Sequence, residues 1–306
     1  MKTIWLASYP KSGNTWFRML LGNLSAKDDT PADINDLPER GGIASARAPF
    51  DHLLLIDSGL LTLDEVDNLR PRVYEELARG EEDEENDDEN GGPQSADQIR
   101  FVKVHDAYTL TSKGEPLLAG VRGAEAAILI VRDPRDIASS QAHHNNTTLD
   151  QAIDLLTDSV PDIAFRSDRQ QQQFRQRLNG WSGHALSWLQ QTDIPVHLVR
   201  YEDLKRDTVG VFKQALAFAG HEATDEAIAR AVRLAEFEKL QAQEREKGFR
   251  EAPKPWAGRI FFRRGEAGAW RADLTREQVD RIEAAHAPMM RRLGYELASE
   301  SKGAAA

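Results

Sequence analysis

The sequence predicts an α/β fold with a central parallel sheet and helices on both of its faces. Short apolar runs, typical of buried parallel strands, recur along the chain, and segments whose apolar residues have helical spacing follow them. A tight polar loop joins the first of these runs to the first helical segment, an arrangement that opens a strand–helix–strand unit. The chain of 306 residues is long enough to form one such domain with a sizeable core.

Four apolar runs predict strands, and Ala126–Val131 is the clearest because it is apolar throughout. The predicted strands are Thr3–Ser8, Ile99–Val104, Ala126–Val131 and Pro195–Val199. The predicted helices are Thr15–Leu24, Leu63–Leu77, a helix from about Arg135, Val209–Ala219, Asp225–Leu234 and Arg276–Leu293. A short ordered segment is predicted at Leu53–Ile56, and Gly294 is a candidate cap for the last helix. We therefore expect a single domain over residues 1–306 with a frayed tail at 300–306.

The stretch 79–98 (RGEEDEENDDENGGPQSADQ) is strongly acidic and carries almost no apolar side chains. Because it buries too little apolar surface to order itself, we expect a mobile insertion loop within the domain that is dispensable for function. Eight of its acids lie between Glu81 and Glu89, so most of the net charge of −11 is local. The acidity argues against nonspecific binding of nucleic acid, which needs a basic face.

The chain contains no cysteine, which excludes disulfides, thiolate metal sites and a cysteine nucleophile. The apolar run before Pro10 is too short for a secretory signal, and no stretch approaches the roughly 20 apolar residues of a membrane span. We therefore expect a cytoplasmic protein with no membrane partner. The histidines and acids show no metal-ligand spacing such as H-E-x-x-H, so no metal is expected.

The segment Ser8–Trp16 (SYPKSGNTW) lies between the first predicted strand and helix, where free helical amides favour an anion. Gly13 lets the backbone approach a ligand closely, Lys11 adds a positive charge, and Ser12 and Thr15 add hydroxyl donors. The Walker pattern needs a glycine upstream of the lysine, and here the lysine comes first. A second interpretation stays open, in which this is an ordinary strand–turn–helix corner with a capping hydroxyl.

The segment Ile128–Ser140 (ILIVRDPRDIASS) ends a predicted strand at Arg132 and places Ser140 in the next helix. A guanidinium group is suited to binding phosphate, and the hydroxyl of Ser140 is a second donor. Two alternatives stay open: an arginine that caps the strand end beside a buried serine, or a Walker-B strand of a kinase with Asp133 on Mg²⁺.

The segment Phe261–Arg271 (FFRRGEAGAWR) carries two adjacent arginines followed by a glycine. The side chains of Arg263 and Arg264, next to the flexible Gly265, would form an anion clamp. Without the other motifs, such a turn is usually solvated surface.

The segment Phe101–Asp106 (FVKVHD) places two candidate catalytic groups at a strand end. Lys103 and His105 are two residues apart, so they point to the same face of the strand. The histidine is a candidate general base, since its unperturbed pKa of about 6.5 suits that task, and the lysine is a candidate charge stabiliser. The alternative is a strand-end histidine bonded to Asp106.

These segments together resemble the sulfotransferases that use 3′-phosphoadenosine-5′-phosphosulfate (PAPS), of the soluble, cytosolic and bacterial-like type. The run YPKSGNTW is similar to the family's 5′-phosphosulfate loop, with Asn14 where Thr is usual. The remaining segments follow in the family's order, and the run FFRRGEAGAWR departs from it at Ala269, where Asp is common. The departure puts the anchoring of that loop in doubt. The resemblance implies a P-loop-like sulfotransferase fold, PAPS as donor, 3′-phosphoadenosine-5′-phosphate (PAP) as product, and no metal.

The resemblance also assigns roles to residues. It implies that His105 is the general base and that Lys11 and Lys103 stabilise the developing charge. It implies three groups of cofactor contacts: Lys11, Ser12, Gly13, Asn14 and Thr15 at the 5′-phosphosulfate; Arg132, Ser140, Arg263, Arg264 and Gly265 at the 3′-phosphate; and Trp16, Tyr201 and Phe237 at the adenine.

The acceptor is left open as a hydroxyl or amine of a small molecule or glycan, and the oligomeric state is not predicted. We expect its pocket to come from Ala44–Leu63, the segment around Tyr108, and Gln141–Phe165. Two other functions remain as alternatives: a P-loop kinase that uses ATP and Mg²⁺, and a nonenzymatic nucleotide-binding module.

Overall fold

The computed structural model describes residues 2–24, 26, 28–36, 42–79, 99–157, 162–163, 171–252, 260–298 and 300. The acidic stretch predicted to be a mobile loop, 79–98, lies outside the described residues except for Arg79, which ends a helix. The tail predicted to be frayed, 300–306, also lies outside them except for Glu300.

The described residues form six strands and twelve helices. The strands are β1 (Lys2–Ser8), β2 (Ile99–Val104), β3 (Ala126–Val131), β4 (Asp162–Ile163), β5 (Gln176–Arg177) and β6 (Val196–Arg200). The first six helices are α1 (Asn14–Leu24), α2 (Arg47–Leu54), α3 (Leu63–Arg79), α4 (Pro134–Asn145), α5 (Leu149–Thr157) and α6 (Gly180–Gln190). The others are α7 (Tyr201–Arg206), α8 (Thr208–Ala219), α9 (Asp225–Leu234), α10 (Phe237–Lys247), α11 (Trp270–Asp273) and α12 (Arg276–Arg292).

Four strands form a parallel sheet in the order β2-β1-β3-β6, which confirms the predicted fold class. Leu6 of β1 pairs with Lys103 of β2 on one side and with Ile128 of β3 on the other. Since all four strands run in the same direction, their carboxyl ends meet at one edge of the sheet. The predicted phosphate loop, the Lys103–His105 segment and Arg132 all begin or lie at that edge.

The side chains of the sheet alternate between two cores, as expected for strands buried on both faces. Ile4 and Leu6 of β1 point into a core shared with α1, α8, α9 and α10. Trp5 and Ala7 of the same strand point into the opposite core, against α4, α5, α6 and α12. The helices therefore cover both faces, and the open edge at the carboxyl ends of the strands is left for a site.

The predicted strands and helices are confirmed to within about two residues at each end. The segment predicted at Leu53–Ile56 is instead the end of α2, where Leu55 takes a left-handed conformation with φ of 53° and terminates the helix. Helices α5, α6, α7, α10 and α11 and the short strands β4 and β5 were not predicted. No helix in the described part of the chain is long and apolar enough to cross a membrane.

A buried ion pair supports the chain just after β2. Arg70 of α3 donates to the Asp106 carboxylate (Nη2–Oδ2, 2.6 Å) and to the Tyr74 hydroxyl (2.8 Å). Asp106 also accepts a hydrogen bond from the backbone amide of Arg177 (3.0 Å). Arg70 and Asp106 are both fully buried, so their ion pair fixes the backbone that follows Lys103 and His105.

Candidate active site

A cavity of about 610 Å³ opens at the carboxyl ends of β1, β2 and β3. Its walls come from the β1–α1 loop, the end of β2, one side of α4 along most of its length, the starts of α7 and α10, and the loop that precedes α11. Of the predicted site residues, only Ser12 does not line the cavity; its hydroxyl is buried and has no hydrogen-bond partner. The predicted residues that do line it are Lys11, Gly13, Asn14, Thr15, Trp16, Lys103, His105, Arg132, Ser140, Tyr201, Phe237, Arg263, Arg264 and Gly265.

The β1–α1 loop joins the first strand to the first helix at the cavity wall through a glycine in the left-handed region. Gly13 has φ of 101°, and a Cβ atom there would lie 2.5 Å from the Tyr201 ring, so no larger residue fits. Helix α1 begins at Asn14, and the amides of its first turn have no partner inside the helix. This loop therefore supplies the amides and the positive helix end that an anion needs.

His105 is held in one tautomer by the end of β1. Its Nδ1 lies 2.7 Å from the Ser8 carbonyl oxygen, which can only accept, so Nδ1 donates and Nε2 carries the lone pair. Burial, together with the nearby Lys103 ammonium, lowers the pKa of His105 to about 3. The side-chain amide of Asn14 donates to the Ser8 hydroxyl (3.1 Å) and the Leu6 carbonyl (2.9 Å), which fixes the backbone that holds His105.

The alternative pairing of His105 with Asp106 is not formed, because Asp106 is engaged by Arg70. Asp133, which the kinase alternative would place on Mg²⁺, does not line the cavity. It caps α4 and pairs with Arg135 at 2.6 Å. Within the described ranges there is no group of three or more His, Asp or Glu side chains placed to hold a metal ion.

Two lysines bring positive charge to the middle of the cavity. The Lys11 ammonium lies 3.9 Å from the centre of the Phe261 ring, and burial, Lys103 and Arg132 lower the pKa of Lys11 to about 7. Burial also lowers the pKa of Lys103, while the nearby Glu251 carboxylate acts in the opposite direction.

Glu251 is a site residue that the sequence analysis missed. Its Oε2 accepts from Lys103 Nζ (3.1 Å) and from the Thr15 hydroxyl (3.4 Å), and its Oε1 pairs with Arg18 (2.7 Å). Burial raises the pKa of Glu251, but Lys103 and Arg18 outweigh burial and lower it to about 2. The carboxylate therefore stays charged and holds Lys103 beside the phosphate loop. No motif marks it, since its partners lie 148 and 233 residues away along the chain.

A cluster of arginines forms a second cationic region. Arg263 Nη2 donates to the Ser139 hydroxyl (2.9 Å), and Arg264 Nη1 pairs with Asp273 (2.7 Å). Ser139 also bonds to Asp273, so this carboxylate gathers both arginines at one wall. Ser139, the neighbour of the predicted Ser140, and Asp273 were not predicted. The available sequence signal for Ser139 was its position directly before Ser140.

The loop after the arginines is anchored despite Ala269, the position where the family commonly has Asp. The Asp136 carboxylate of α4 accepts from the amides of Gly268 (2.6 Å) and Trp270 (2.8 Å). Arg132 donates to the Glu266 carbonyl in the same loop (2.8 Å). The doubt about loop anchoring is therefore resolved by a carboxylate from another element.

Aromatic side chains from the starts of α1, α7 and α10 form one part of the cavity wall, called the aromatic end here: Trp16, Tyr201 and Phe237. Trp16 and Tyr201 meet edge to face at 5.9 Å, and the Trp16 indole donates to the Ala235 carbonyl (3.0 Å). The Tyr201 hydroxyl donates to the Gly265 carbonyl (3.0 Å). A Cβ atom at Gly265 would lie 2.4 Å from the Phe237 ring, so the glycine allows this ring to pack against the arginine loop. The arrangement is suited to a flat, apolar base with phosphates on either side.

The prediction of the acceptor pocket is only partly correct, and no residue of Ala44–Leu63 lines the cavity. Tyr108 does not line the cavity; it packs edge to face on Trp188 and hydrogen-bonds to Asp193. From Gln141–Phe165 only the first residues, in α4, reach the cavity wall among those described. Gln173 and Gln176, which were not predicted, line it instead. They are brought there because Arg177 of β5 is hydrogen-bonded to Asp106 and Ala107, which follow β2.

The chain is similar in sequence to known sulfotransferases. Flavonol 3-sulfotransferase from Flaveria bidentis is 24% identical over 295 residues, which cover 92% of this chain and 79% of that protein. Luciferin sulfotransferase from Photinus pyralis is 23% identical over 282 residues, which cover 90% of this chain and 68% of that protein.

Solved structures share the fold. Mouse sulfotransferase SULT7A1 complexed with PAP has a TM-score of 0.55 at 20% identity, over 95% of this chain and 85% of that one. Retinol dehydratase in complex with androsterone and the inactive cofactor PAP has a TM-score of 0.57 at 18% identity, over 98% and 84% of the two chains. The sequence model described as the sulfotransferase domain matches residues 1–294, which is nearly the whole chain and includes every wall of the cavity, so the chain belongs to the sulfotransferase domain family.

Proposed function

We propose that this sulfotransferase transfers the sulfuryl group of PAPS to a hydroxyl or amine of an acceptor, by direct in-line displacement, and releases PAP. The observation that carries the proposal is that a tautomer-fixed histidine and two lysines share one cavity with an arginine cluster and an aromatic end. The continuous match to one family supports a single domain.

The residues of the cavity fit PAPS. The arginine cluster would bind the 3′-phosphate, the amides of the β1–α1 loop would bind the 5′-phosphosulfate, and the aromatic end would hold the adenine. The buried Nε of Arg132 has no hydrogen-bond partner in the described structure, so it is available to donate to a bound anion. When bound, PAPS supplies the sulfuryl group to be transferred.

The chain's own residues would act as follows. Nε2 of His105 takes the proton of the acceptor while Nδ1 stays bonded to the Ser8 carbonyl. The ammonium groups of Lys11 and Lys103 stabilise the negative charge that develops at the leaving bridging oxygen. Because negative groups placed in the cavity raise the pKa of His105, the base becomes stronger when the anionic donor is present.

The proposal is tested by comparing nucleotides and by transfer from labelled PAPS. We expect PAP to bind about tenfold to a hundredfold more tightly than ADP, because each charge-assisted contact to the 3′-phosphate contributes about 1.5–3 kcal/mol. Isothermal titration calorimetry measures both affinities. Equal affinities would contradict the cofactor assignment, and tighter binding of Mg-ATP would favour the kinase. PAP binding without transfer to any acceptor would favour the nonenzymatic module.

A pH dependence of PAP binding follows from Lys11. In the free protein its pKa is about 7, and bound phosphates raise it. The affinity for PAP is therefore highest and constant below about pH 7, where Lys11 is protonated in the free protein. Above that pH it falls by up to about tenfold per pH unit, and it levels off once the pH exceeds the pKa that Lys11 has in the complex. Calorimetry between about pH 6 and about pH 9, in buffers of different ionisation enthalpy, should show proton uptake on binding at the alkaline end.

The matched variant for this prediction is Lys11→Ala. It should bind PAP more weakly at low pH, turn over more slowly, and lose this pH dependence, because the titrating group is gone. An unchanged alkaline fall in affinity in Lys11→Ala would assign the dependence to another group.

A further inference from the structure

We propose that the acceptor is a polyhydroxylated compound of the carbohydrate type, recognised by unpaired amide and imidazole groups at the acceptor end of the cavity. The acceptor end is defined here as the wall formed by Ile43, Gln141, His144, Gln173 and Gln176. This inference rests on the proposed function and names the class of acceptor for the same site.

The acceptor end adjoins the groups that would transfer the sulfuryl group. Ile43 pairs with Lys103 of β2 through a backbone bridge. Gln176 precedes Arg177, whose backbone bonds to both Asp106 and Ala107, immediately after His105. On the opposite side, the His144 ring packs against Phe261, the ring over which the Lys11 ammonium lies. A molecule at this wall is therefore next to His105 and both lysines.

Three polar atoms of this wall are buried without a hydrogen-bond partner. They are Oε1 of Gln141, Oε1 of Gln176 and Nδ1 of His144. The two glutamines are only 2% and 1% exposed. Gln176 is also fixed in orientation, because its Nε2 donates to Gln173 Oε1 (2.9 Å). Buried polar groups in folded proteins almost always have partners, so three unpaired atoms on side chains that line one wall favour a ligand that supplies the partners.

The unpaired atoms favour hydroxyl donors. The two amide oxygens can only accept, so their partners must be O–H or N–H groups of the ligand. A carbohydrate has several hydroxyls, so one can react at His105 while others bond to the wall. A simple phenol has one hydroxyl, which the transfer consumes. The five residues of the acceptor end include no aromatic ring besides the His144 imidazole, and the neighbouring Phe261 ring is already in contact with Lys11 and His144.

The wall therefore differs from what a flat apolar acceptor needs. A pocket for such a molecule is lined mainly by apolar and aromatic side chains with few polar groups. Here the pair of aromatic rings Trp16 and Tyr201 belongs to other walls of the cavity, formed by α1 and α7. Placing an apolar ring against Gln141 and Gln176 would leave their buried oxygens unpaired. The relatives named for flavonol and luciferin are thus no guide to the acceptor of this chain.

The test uses labelled PAPS and two acceptor panels: methyl glycosides, disaccharides and aminoglycosides in one, and 2-naphthol with related apolar phenols in the other. We expect the wild-type protein to sulfate members of the first panel with the higher kcat/KM. In Gln141→Leu and Gln176→Leu, KM for the best carbohydrate should rise about tenfold or more, while KM for 2-naphthol stays the same or falls. The exposed Gln190→Leu in α6, outside the cavity, is the matched control and should change neither.

A second readout does not depend on turnover. Calorimetry of the best carbohydrate on the PAP-loaded protein should show the same loss of affinity in the two variants, with PAP affinity itself retained as the control for folding. Preference of the wild-type protein for 2-naphthol, transfer to neither panel, or an unchanged carbohydrate KM in both variants would overturn the inference. A protein that fails to distinguish PAP from ADP would instead overturn the proposed function on which the inference rests.

Discussion

His105→Ala is expected to lower kcat with an alcohol acceptor by about 10²–10⁴-fold, the range for the loss of a general base. PAP affinity should remain nearly unchanged, because the histidine is bonded to Ser8 and acts on the acceptor proton, not on the phosphates. Steady-state kinetics with labelled PAPS and calorimetry with PAP separate the two effects. The exposed His52→Ala, in α2 and away from the cavity, is the matched control and should behave like the wild type.

The acceptor provides a second control for the role of His105. A nitrophenol that is already ionised at the assay pH has no proton to remove, so His105→Ala should lose far less rate with it than with an alcohol. Wild-type turnover of an alcohol by the variant would remove His105 from the mechanism. Equal losses with both acceptors would show a structural role, and in either case His143 or His144 would be the next base to test.

The double variant Arg263→Ala/Arg264→Ala is expected to weaken PAP binding by about tenfold to a hundredfold, because the charge-assisted contacts to the 3′-phosphate, about 1.5–3 kcal/mol each, are lost. Binding of ADP should change far less, since ADP has no 3′-phosphate for these arginines. Calorimetry of both nucleotides on both proteins gives the comparison. The expected signature is a variant whose preference for PAP over ADP has largely disappeared.

A control variant distinguishes the loss of these two arginine contacts from a general loss of positive charge. Arg276→Ala removes an exposed arginine at the start of α12, where it pairs with Asp280, and should leave both affinities unchanged. Equal weakening of PAP and ADP in the double variant would indicate that the loop before α11 has collapsed. An undiminished preference for PAP would place the 3′-phosphate elsewhere.

Much of the fold was predictable because its signals are local. The run Ala126–Val131 is apolar at every position, and it is the central strand β3 with both faces buried. The boundaries of α9, Asp225–Leu234, were predicted to the residue, because Thr224 caps the start and one apolar stripe runs along the helix. Helix α10 was missed because most of its residues are charged and only Leu240 and Glu244 are buried.

The convergence of several predicted site residues was predictable for a related reason. Three of the short motifs lie at or just after the end of a strand, and in a parallel sheet the carboxyl ends of the strands converge, so Lys11, Lys103, His105 and Arg132 meet in one cavity. Their assignment to particular groups of PAPS stays a prediction, as does the single-domain organisation.

By itself, the sequence determined the strands of the sheet and the short motifs that carry the cationic side chains of the cavity, because each of these depends on residues within a few positions of one another. Only the tertiary structure decided which groups complete that site. Glu251 reaches Lys103 across 148 residues, Ser139 meets Asp273 across 134, and Gln176 lies beside the end of β2 through β5. The packing of elements that are distant in sequence decides which residues become partners. A single carboxylate or amide side chain forms no periodic pattern in the sequence from which that packing can be inferred.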